Sequence, residues 1–208
     1  MEIKVTFDKD KISLPGVMNI PDGARGIVLF AHGSGSSRLS TRNNYVAKAI
    51  NQSGMATFLF DLLTEEEDAT YENRFNIDLL TKRLEGVVRW CKDQDASKKL
   101  AIGLFGASTG AAAALRAAAD MPDAIAAVVS RGGRPDLAGA ALPKVKSPVL
   151  LIVGGLDTEV IELNQEAYEK LGGVRKMEIV DGATHLFEEP GTLEKVTELA
   201  ASWFKKKL

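Results

Sequence analysis

Hydrophobic residues along the chain follow two kinds of spacing in turn. Short segments rich in Val, Ile, Leu and Phe are separated by longer segments in which apolar residues recur every three to four positions. The first two short segments alternate apolar with polar residues, whereas the later ones are nearly continuous apolar runs, as in strands buried on both faces. The pattern predicts an α/β fold, with a mostly parallel sheet of about eight strands and helices on both faces.

The boundaries of these elements follow from the same pattern. The predicted strands cover residues 4–8, 12–20, 25–31, 56–60, 99–105, 125–130, 149–154 and 175–180. The predicted helices cover residues 43–52, 75–92, 109–120, 161–170 and 193–206. No repeat or low-complexity linker interrupts them, so we expect a single domain over residues 1–208.

Two connections between these elements carry further expectations. The acidic run at residues 65–68 is expected to be a solvated loop, because its like charges repel one another. Only residues 131–146 separate the sixth and seventh strands, which leaves no room for a large cap. We therefore expect any site at this edge of the sheet to be shallow and open.

A short glycine-rich turn joins the fifth predicted strand to an alanine-rich helix. Residues 106–110 read Gly-Ala-Ser-Thr-Gly. A serine on so sharp a turn is held above the sheet edge, and the turn needs very small residues two positions before and after it. Gly106 and Gly110 meet that requirement, which makes Ser108 the candidate nucleophile. A turn that only packs or binds phosphate is the alternative interpretation.

A serine nucleophile needs a base, and the base needs an acid that orients it. His185 follows the last predicted strand and Asp157 the strand before it, so both are expected at the same sheet edge as Ser108. Asp181 is the alternative acid, although its place beside a glycine is typical of a turn-forming aspartate. The other histidine, His32, ends a buried strand and is expected to orient loop backbone rather than act as the base.

Two backbone N–H groups are expected to stabilise the oxyanion that forms during acyl transfer. Thr109, directly after the nucleophile, supplies the first. The second is expected from the glycine-rich loop after the third strand, with Ser34 preferred and Gly33 as the alternative. That loop lacks the third glycine of a dinucleotide fingerprint and the Gly-Lys-Ser/Thr of a P-loop, which disfavours nucleotide binding.

Several arginines lie near the predicted site. Arg131 follows the sixth strand directly and is a candidate for binding a substrate carboxylate or phosphate, with the bracing of loop carbonyls as the alternative. Arg134 is a weaker candidate for the same role, and for either arginine the alternative includes pairing with Asp136. Arg38 and Arg42 flank the predicted oxyanion loop and could bind a substrate anion in the same way, although the solvated surface is the preferred expectation for both.

Composition excludes several classes of function. The 208 residues include 26 basic and 28 acidic side chains, a balance that does not favour nucleic acid as a partner. The apolar segments are much shorter than the ~18 residues of a membrane span. No apolar stretch near residue 1 resembles a secretory signal, so we expect a cytoplasmic protein without a membrane partner.

The cysteine and histidine content bears on metals and disulfides. The chain has one cysteine, Cys91, and two histidines, so neither an internal disulfide nor a zinc cluster is expected. Cys91 closes the apolar stripe of a predicted helix and is expected in the core rather than as a nucleophile. We expect no metal and no cofactor.

The chain resembles α/β-hydrolases of the dienelactone hydrolase-like group in five segments: HGSGSSRLSTRNNYVA, FGASTGAAAAL, SRGGRPDLAG, LLIVGGLDTEVIELN and GATHLFEEPG. It is also similar to bacterial hydrolase domains that occur fused to phosphoribosyltransferases. The resemblance covers nearly the whole chain and implies Ser108, Asp157 and His185 as a catalytic triad. Dienelactone hydrolase itself uses a cysteine nucleophile where this chain has serine, so the resemblance implies ester hydrolysis without indicating dienelactone as the substrate.

These observations together predict a serine hydrolase that cleaves a small carboxylic ester through an acyl-enzyme on Ser108. An acyltransferase with the same triad is one alternative, and a non-catalytic binding domain that retains the fold is another. The fold does not name the acyl group or the leaving group, and the oligomeric state has no signal in the sequence.

Overall fold

All the predicted strands form in the computed structural model, which describes residues 2–7 and 12–208. The first was expected to end at Asp8, which lies outside the described residues. The fifth extends two residues further than expected, into the Gly-Ala-Ser-Thr-Gly turn. The strands are β1 (Glu2–Phe7), β2 (Ile12–Asn19), β3 (Gly26–Ala31), β4 (Ala56–Phe60), β5 (Ala101–Ala107), β6 (Ile125–Arg131), β7 (Val149–Gly154) and β8 (Arg175–Val180).

The five predicted helices also form, some with an extra residue or turn at one end. The helices are α1 (Thr41–Gln52), α2 (Glu65–Asp68), α3 (Ile77–Asp93), α4 (Thr109–Asp120), α5 (Thr158–Lys170) and α6 (Thr192–Lys207). Helix α1 begins two residues earlier than expected because the Ser40 side chain accepts a hydrogen bond from the Asn43 backbone N–H and caps the helix. The earlier start places Arg42 in the first turn of α1.

The expectation for residues 65–68 was wrong, because this acidic run forms the short helix α2. Thr64 accepts a hydrogen bond from the Glu67 N–H, and the Glu67 side chain accepts one from the Thr64 N–H. This reciprocal pair is a capping box. The carboxylates also lie at the N-terminal end of the helix, where the helix dipole favours negative charge.

The eight strands of the described residues form one sheet in the order β1-β2-β4-β3-β5-β6-β7-β8. β1 pairs with β2 and β2 with β4 in antiparallel fashion, and all later neighbours are parallel. The predicted mixed α/β sheet is therefore confirmed. Since β3 and β5 to β8 run in the same direction, the loops that follow them meet at one edge of the sheet.

The strands in the middle of the sheet are buried on both faces. Along β3, Ile27 and Leu29 contribute to one apolar cluster, whereas Val28 and Phe30 contribute to the other. The first cluster includes side chains of α3, α4 and α5, and the second those of α1 and α6. Helices thus cover both faces of the sheet, as the continuous apolar runs predict.

The connection between β6 and β7 contains no helical cap. It contains a 3-10 segment, Pro135–Lys144, interrupted at Gly139. The edge of the sheet beside the Gly-Ala-Ser-Thr-Gly turn is thus left open at this connection, as expected. Among the described helices, none has the length and hydropathy required to cross a membrane.

Candidate active site

Ser108 occupies a strained turn between β5 and α4. Its backbone has φ 50° and ψ −121°, a conformation that side-chain-bearing residues rarely adopt. Cβ atoms built on its two flanking glycines would lie 2.4 Å from Ala111 Cα at Gly106 and 2.2 Å from the Ala31 carbonyl oxygen at Gly110. Only glycine fits at both places, so the turn is shaped to present the hydroxyl of Ser108 above the sheet edge.

Hydrogen bonds fix the turn from the neighbouring strand. The Ser108 N–H donates to the Arg131 carbonyl at 3.3 Å, and the Ser108 carbonyl accepts from the Arg134 N–H at 3.1 Å. Ala107 is paired with Arg131 in the sheet register. The backbone of the serine is therefore held on both sides by the start of the β6–β7 connection.

His185 and Asp157 meet at the same edge of the sheet. His185 Nδ1 lies 2.7 Å from Asp157 Oδ2, and their loops are joined by a hydrogen bond from the Leu156 N–H to the Ala183 carbonyl at 2.9 Å. The side chain of His185 is 37% exposed, against 17% for Asp157. Asp181, the alternative acid, forms no hydrogen bond with the imidazole. The acid that follows β7 is thus the one that contacts this histidine.

Ser108 and His185 line one cavity of about 240 Å³. No hydrogen bond joins Ser108 Oγ to the imidazole among the described contacts. Nucleophile and base often approach closely only when substrate binds, so this separation does not argue against a catalytic pair. The cavity is the space in which the hydroxyl, the imidazole and a small substrate would meet.

Of the two expected oxyanion donors, the Thr109 N–H is free of a helical partner and the Ser34 N–H is already hydrogen-bonded. Thr109 is the first residue of α4, so its N–H has no acceptor within the helix. The Ser34 N–H instead donates to Thr109 Oγ1 at 3.0 Å. A Cβ built on Gly33 would lie 3.0 Å from Ser108 Cβ, so this loop runs directly against the nucleophile. Ser34 can therefore serve an oxyanion only by sharing or giving up its bond to Thr109.

His32 has both ring nitrogens engaged by backbone, as expected. Nδ1 lies 2.9 Å from the Gly33 carbonyl, and Nε2 accepts from the Leu62 N–H at 3.0 Å. These partners require a neutral ring with the proton on Nδ1. Burial lowers the pKa of His32, an effect that the carbonyl bond and the charges of Asp61 and Asp68 oppose in part. His32 therefore joins the oxyanion loop to the loop after β4.

Arg131 is buried, with 6% of its surface exposed, and lines the same cavity as Ser108. Its Nη2 donates a long hydrogen bond of 3.4 Å to Asn43 Oδ1, and its Cζ lies 5.7 Å from the ring centroid of Phe187. Burial, and to a lesser degree the charge of Arg42, lower the pKa of Arg131 to about 10. A guanidinium is still protonated at neutral pH with that value.

Two of the nearby arginines differ from expectation and one agrees with it. Arg134 donates to both carboxylate oxygens of Asp136, as the alternative expects. Arg38 was expected in solvent, but it is half-buried and binds Asp61 through its backbone N–H and its guanidinium. Arg42 was expected in solvent too, but it lines the cavity and lies 2.8 Å from Glu188. Both corrections arise because α1 and its preceding loop are folded against the sheet edge.

A second carboxylate beside the histidine has a structural role. Glu189 accepts hydrogen bonds from the backbone N–H and the hydroxyl of Thr184. The hydroxyl bond, followed by backbone N–H groups, lowers the pKa of Glu189. Neither Glu188 nor Glu189 hydrogen-bonds to His185, so both stabilise the loops around the imidazole rather than the imidazole itself.

The family follows from a comparison with known sequences. Residues 24–202 match the family model of an alpha/beta hydrolase domain. The chain belongs to this family. The expected fold is thereby confirmed.

Known structures agree with this assignment. The hydrolase is 51% identical to a dienelactone hydrolase from Anabaena variabilis, with a TM-score of 0.97, over 100% of this chain and 97% of that one. It also has the fold of Est1E from Butyrivibrio proteoclasticus, at a TM-score of 0.83 and 18% identity, over 99% of this chain and 98% of the other.

Curated sequences give a relative with a different name. Two strains of Mycobacterium tuberculosis have a protein described as a putative phosphoribosyl transferase, 55% identical over 193 residues. These residues are 93% of this hydrolase but 44% of the relative. The hydrolase therefore spans less than half of the length of the curated relatives that it matches.

Cysteine and metal chemistry have no support at this site. Cys91 of the hydrolase is fully buried in α3, as expected, and burial raises the pKa of its thiol to about 12. A thiol with that pKa is almost entirely protonated near neutral pH and is not a nucleophile. In the described part of the chain, no three His, Cys, Asp or Glu side chains are grouped so as to hold a metal ion.

Proposed function

We propose that this hydrolase is a serine esterase that cleaves small carboxylic esters through an acyl-enzyme on Ser108. The observation that carries the proposal is the 2.7 Å contact between His185 Nδ1 and Asp157 Oδ2 beside the cavity that His185 shares with Ser108. A binding domain would need neither a strained serine nor an imidazole oriented by an acid.

The geometry supports an ordered sequence of proton transfers. Ser108 Oγ attacks the ester carbonyl while His185 Nε2 accepts the hydroxyl proton. Asp157 holds the imidazole in the tautomer that has its proton on Nδ1, and stabilises the imidazolium that forms. The imidazolium then donates its proton to the leaving alcohol. A water molecule, deprotonated by the same imidazole, releases the acid and restores Ser108.

The developing oxyanion is assigned to two backbone donors. The Thr109 N–H is available at the start of α4, and the Ser34 N–H becomes available when Thr109 Oγ1 yields its hydrogen bond. Removing one such donor typically costs about 10²–10³ in kcat. In this assignment, the Ser34 N–H gives up its hydrogen bond to Thr109 Oγ1 during each attack and forms a stronger, charge-assisted bond to the oxyanion.

The size of the substrate follows from the cavity. A volume of about 240 Å³ is smaller than the ~300–1,000 Å³ typical of sites for drug-sized ligands. The β6–β7 connection adds no apolar lid that a long acyl chain would require. Short acyl groups therefore fit the site best.

The proposal is tested by covalent labelling with a fluorophosphonate probe, followed by intact-mass analysis. We expect one adduct on the wild-type protein and none on Ser108→Ala. Ser37→Ala is the matched control, because Ser37 lies in the oxyanion loop and its hydroxyl contacts only the Leu39 N–H. A Ser108→Ala protein that still forms the adduct contradicts the proposal, as does a wild-type protein without activity on any short-chain ester.

A further inference from the structure

Arg131 is a buried cation without a carboxylate partner. Among the described residues no Asp or Glu oxygen lies within 4.0 Å of its guanidinium, although most of the half-buried arginines form such a pair. Its Nε is enclosed and has no acceptor. Burying a charge without a partner costs free energy, and an anion bound in the cavity would offset that cost.

The surroundings hold the guanidinium in one place without neutralising it. Asn43, itself buried, offers a neutral amide oxygen 3.4 Å from Nη2, and the ring of Phe187 lies under the guanidinium plane at 5.7 Å. Phe187 adopts φ 56°, so the backbone that carries the ring is in an unusual conformation. An aromatic face attracts a cation but leaves its N–H groups free to donate elsewhere.

The rest of the cavity is rich in hydrogen-bond donors and includes a second arginine, Arg42, which is paired with Glu188. Helix α1 directs its N-terminus there, through Ser40 and Arg42, and Ser36 lines the wall next to them. Residues that line the cavity include no Asp or Glu. A helix N-terminus, arginine guanidinium groups and serine hydroxyls are the donors that proteins use for phosphate groups.

We propose that Arg131, together with the N-terminus of α1, binds a phosphate group carried by the substrate. The choice of phosphate over a carboxylate rests on the donor set, since a phosphate has three strong acceptor oxygens to satisfy several N–H and O–H groups at once. The substrate class that follows is a short ester that carries a phosphate, which rests on the proposed esterase function of Ser108.

The position of the arginine explains how such a group would act. The Arg131 carbonyl accepts the Ser108 N–H, so the phosphate site and the nucleophile are parts of one backbone unit. A phosphate bound there orients the ester carbonyl toward Ser108. Binding energy from this remote group then contributes to the positioning of the reacting atoms.

The test begins with direct binding of inorganic phosphate, measured by isothermal titration calorimetry on the wild-type protein and three variants. Asn43→Asp places a carboxylate where Arg131 now has a neutral amide, so it neutralises the cation in place and should preserve the fold. Arg131→Lys keeps the charge but loses the planar fork. Arg134→Gln is the control, because Arg134 lies on the same connection and pairs with Asp136.

We expect saturable phosphate binding to the wild-type protein and to Arg134→Gln, and a loss of at least about tenfold in affinity for Asn43→Asp and Arg131→Lys. Phosphate should also raise the Tm of the wild-type protein and not that of Asn43→Asp. Absence of saturable binding, or equal binding by Asn43→Asp, overturns the proposal. Acetate that binds as tightly as phosphate overturns the choice of phosphate.

Three acetate esters then test the substrate class. We expect kcat/KM for 2-acetoxyethyl phosphate to exceed that for 3-acetoxypropanoate and for neutral 2-methoxyethyl acetate by at least about tenfold, and the preference to disappear in Arg131→Lys. No preference in the wild-type protein contradicts the substrate class. Because phosphate binding is measured without turnover, a failure of Ser108 as nucleophile would leave the calorimetric result unchanged, and the two proposals can fail separately.

Discussion

The two histidines of this hydrolase follow parallel strands at the same edge of one sheet, yet their surroundings differ in every respect. His32 is 8% exposed and has backbone partners on both ring nitrogens. The side chain of His185 is 37% exposed, with Asp157 on Nδ1 and, among the described residues, no hydrogen-bond partner on Nε2. An imidazole whose second nitrogen faces a cavity can move a proton, whereas one with both nitrogens engaged can only connect loops.

The comparison teaches that position at the sheet edge does not by itself distinguish the histidine proposed as the base from one that only connects loops. The number of ring nitrogens left for substrate does. Asp157 contacts Nδ1 of His185 and orients the ring, whereas in His32 the Leu62 N–H occupies Nε2.

The largest expected effect comes from replacing one histidine or the other. His185→Gln should lower kcat/KM for a short ester by about 10⁴ or more, because it removes the imidazole that shares the cavity with Ser108. His32→Gln should keep most of the activity, since glutamine can still accept from one backbone group and donate to another. Steady-state kinetics on both purified variants measures these changes in kcat/KM. Equal losses in the two variants would contradict the assignment of His185 as the base and of His32 as a residue that connects loops.

A smaller loss is expected when the acid is changed. Asp157→Asn should lower kcat by about 10³, because the amide favours the wrong imidazole tautomer. Asp181→Asn is the matched control, since Asp181 forms no bond with the imidazole, and its activity should equal that of the wild type. The same ester assay checks both variants. A larger loss of kcat in Asp181→Asn than in Asp157→Asn would show that Asp181, and not Asp157, is the acid.

The buried histidine should appear instead in the pH dependence of stability. Because burial lowers the pKa of His32, the unfolded chain takes up a proton near pH 6.5 while the native protein does not. The free energy of unfolding should therefore decrease as the pH falls below about 6.5, by at most about 1.4 kcal/mol per pH unit from this group.

Urea denaturation between pH 7.5 and 5.5 measures this slope. His32→Gln should be less stable than the wild type at pH 7.5 and should show a flatter pH dependence. A slope that is the same in the variant and the wild type would show that His32 titrates alike in the native and unfolded states.

The smallest effect is expected at the oxyanion loop. Thr109→Val removes the hydroxyl that accepts the Ser34 N–H while keeping the side-chain shape. If that bond must yield during attack, kcat should rise by a few fold, the size of one weak hydrogen bond. Thr109→Ser retains the acceptor and should match the wild type. A fall in kcat for Thr109→Val would show instead that the hydroxyl positions the loop.

The strands, the main helices and the residues at the sheet edge could be predicted from the sequence because they depend on local pattern. Ser108, Asp157 and His185 each follow a strand, and parallel strands bring their following loops together. The exchange of order that places β4 between β2 and β3 has no such local signal.

Contacts between side chains far apart in the chain could not be predicted in the same way. The bonds from Ser34 to Thr109 and from Arg131 to Asn43 depend on how α1 and its loop approach the sheet. The helix at residues 65–68 is different, because the sequence itself contains a residue pattern that predicts a helix start there. Thr64 and Glu67 have the spacing of a capping box, which outweighs the repulsion among the acidic side chains.

Helix α4 starts at the residue after Ser108, and six of its seven alanines are fully buried. The height of the serine oxygen above the sheet edge is thus determined by methyl groups and by two glycines, none of which has any chemistry of its own. Enlarging one of those methyl groups would lift the helix and carry the oxygen away from its reaction partner while the remainder of the molecule stayed folded. Variants of this domain that lack the proposed activity can therefore arise without the loss of a single polar atom.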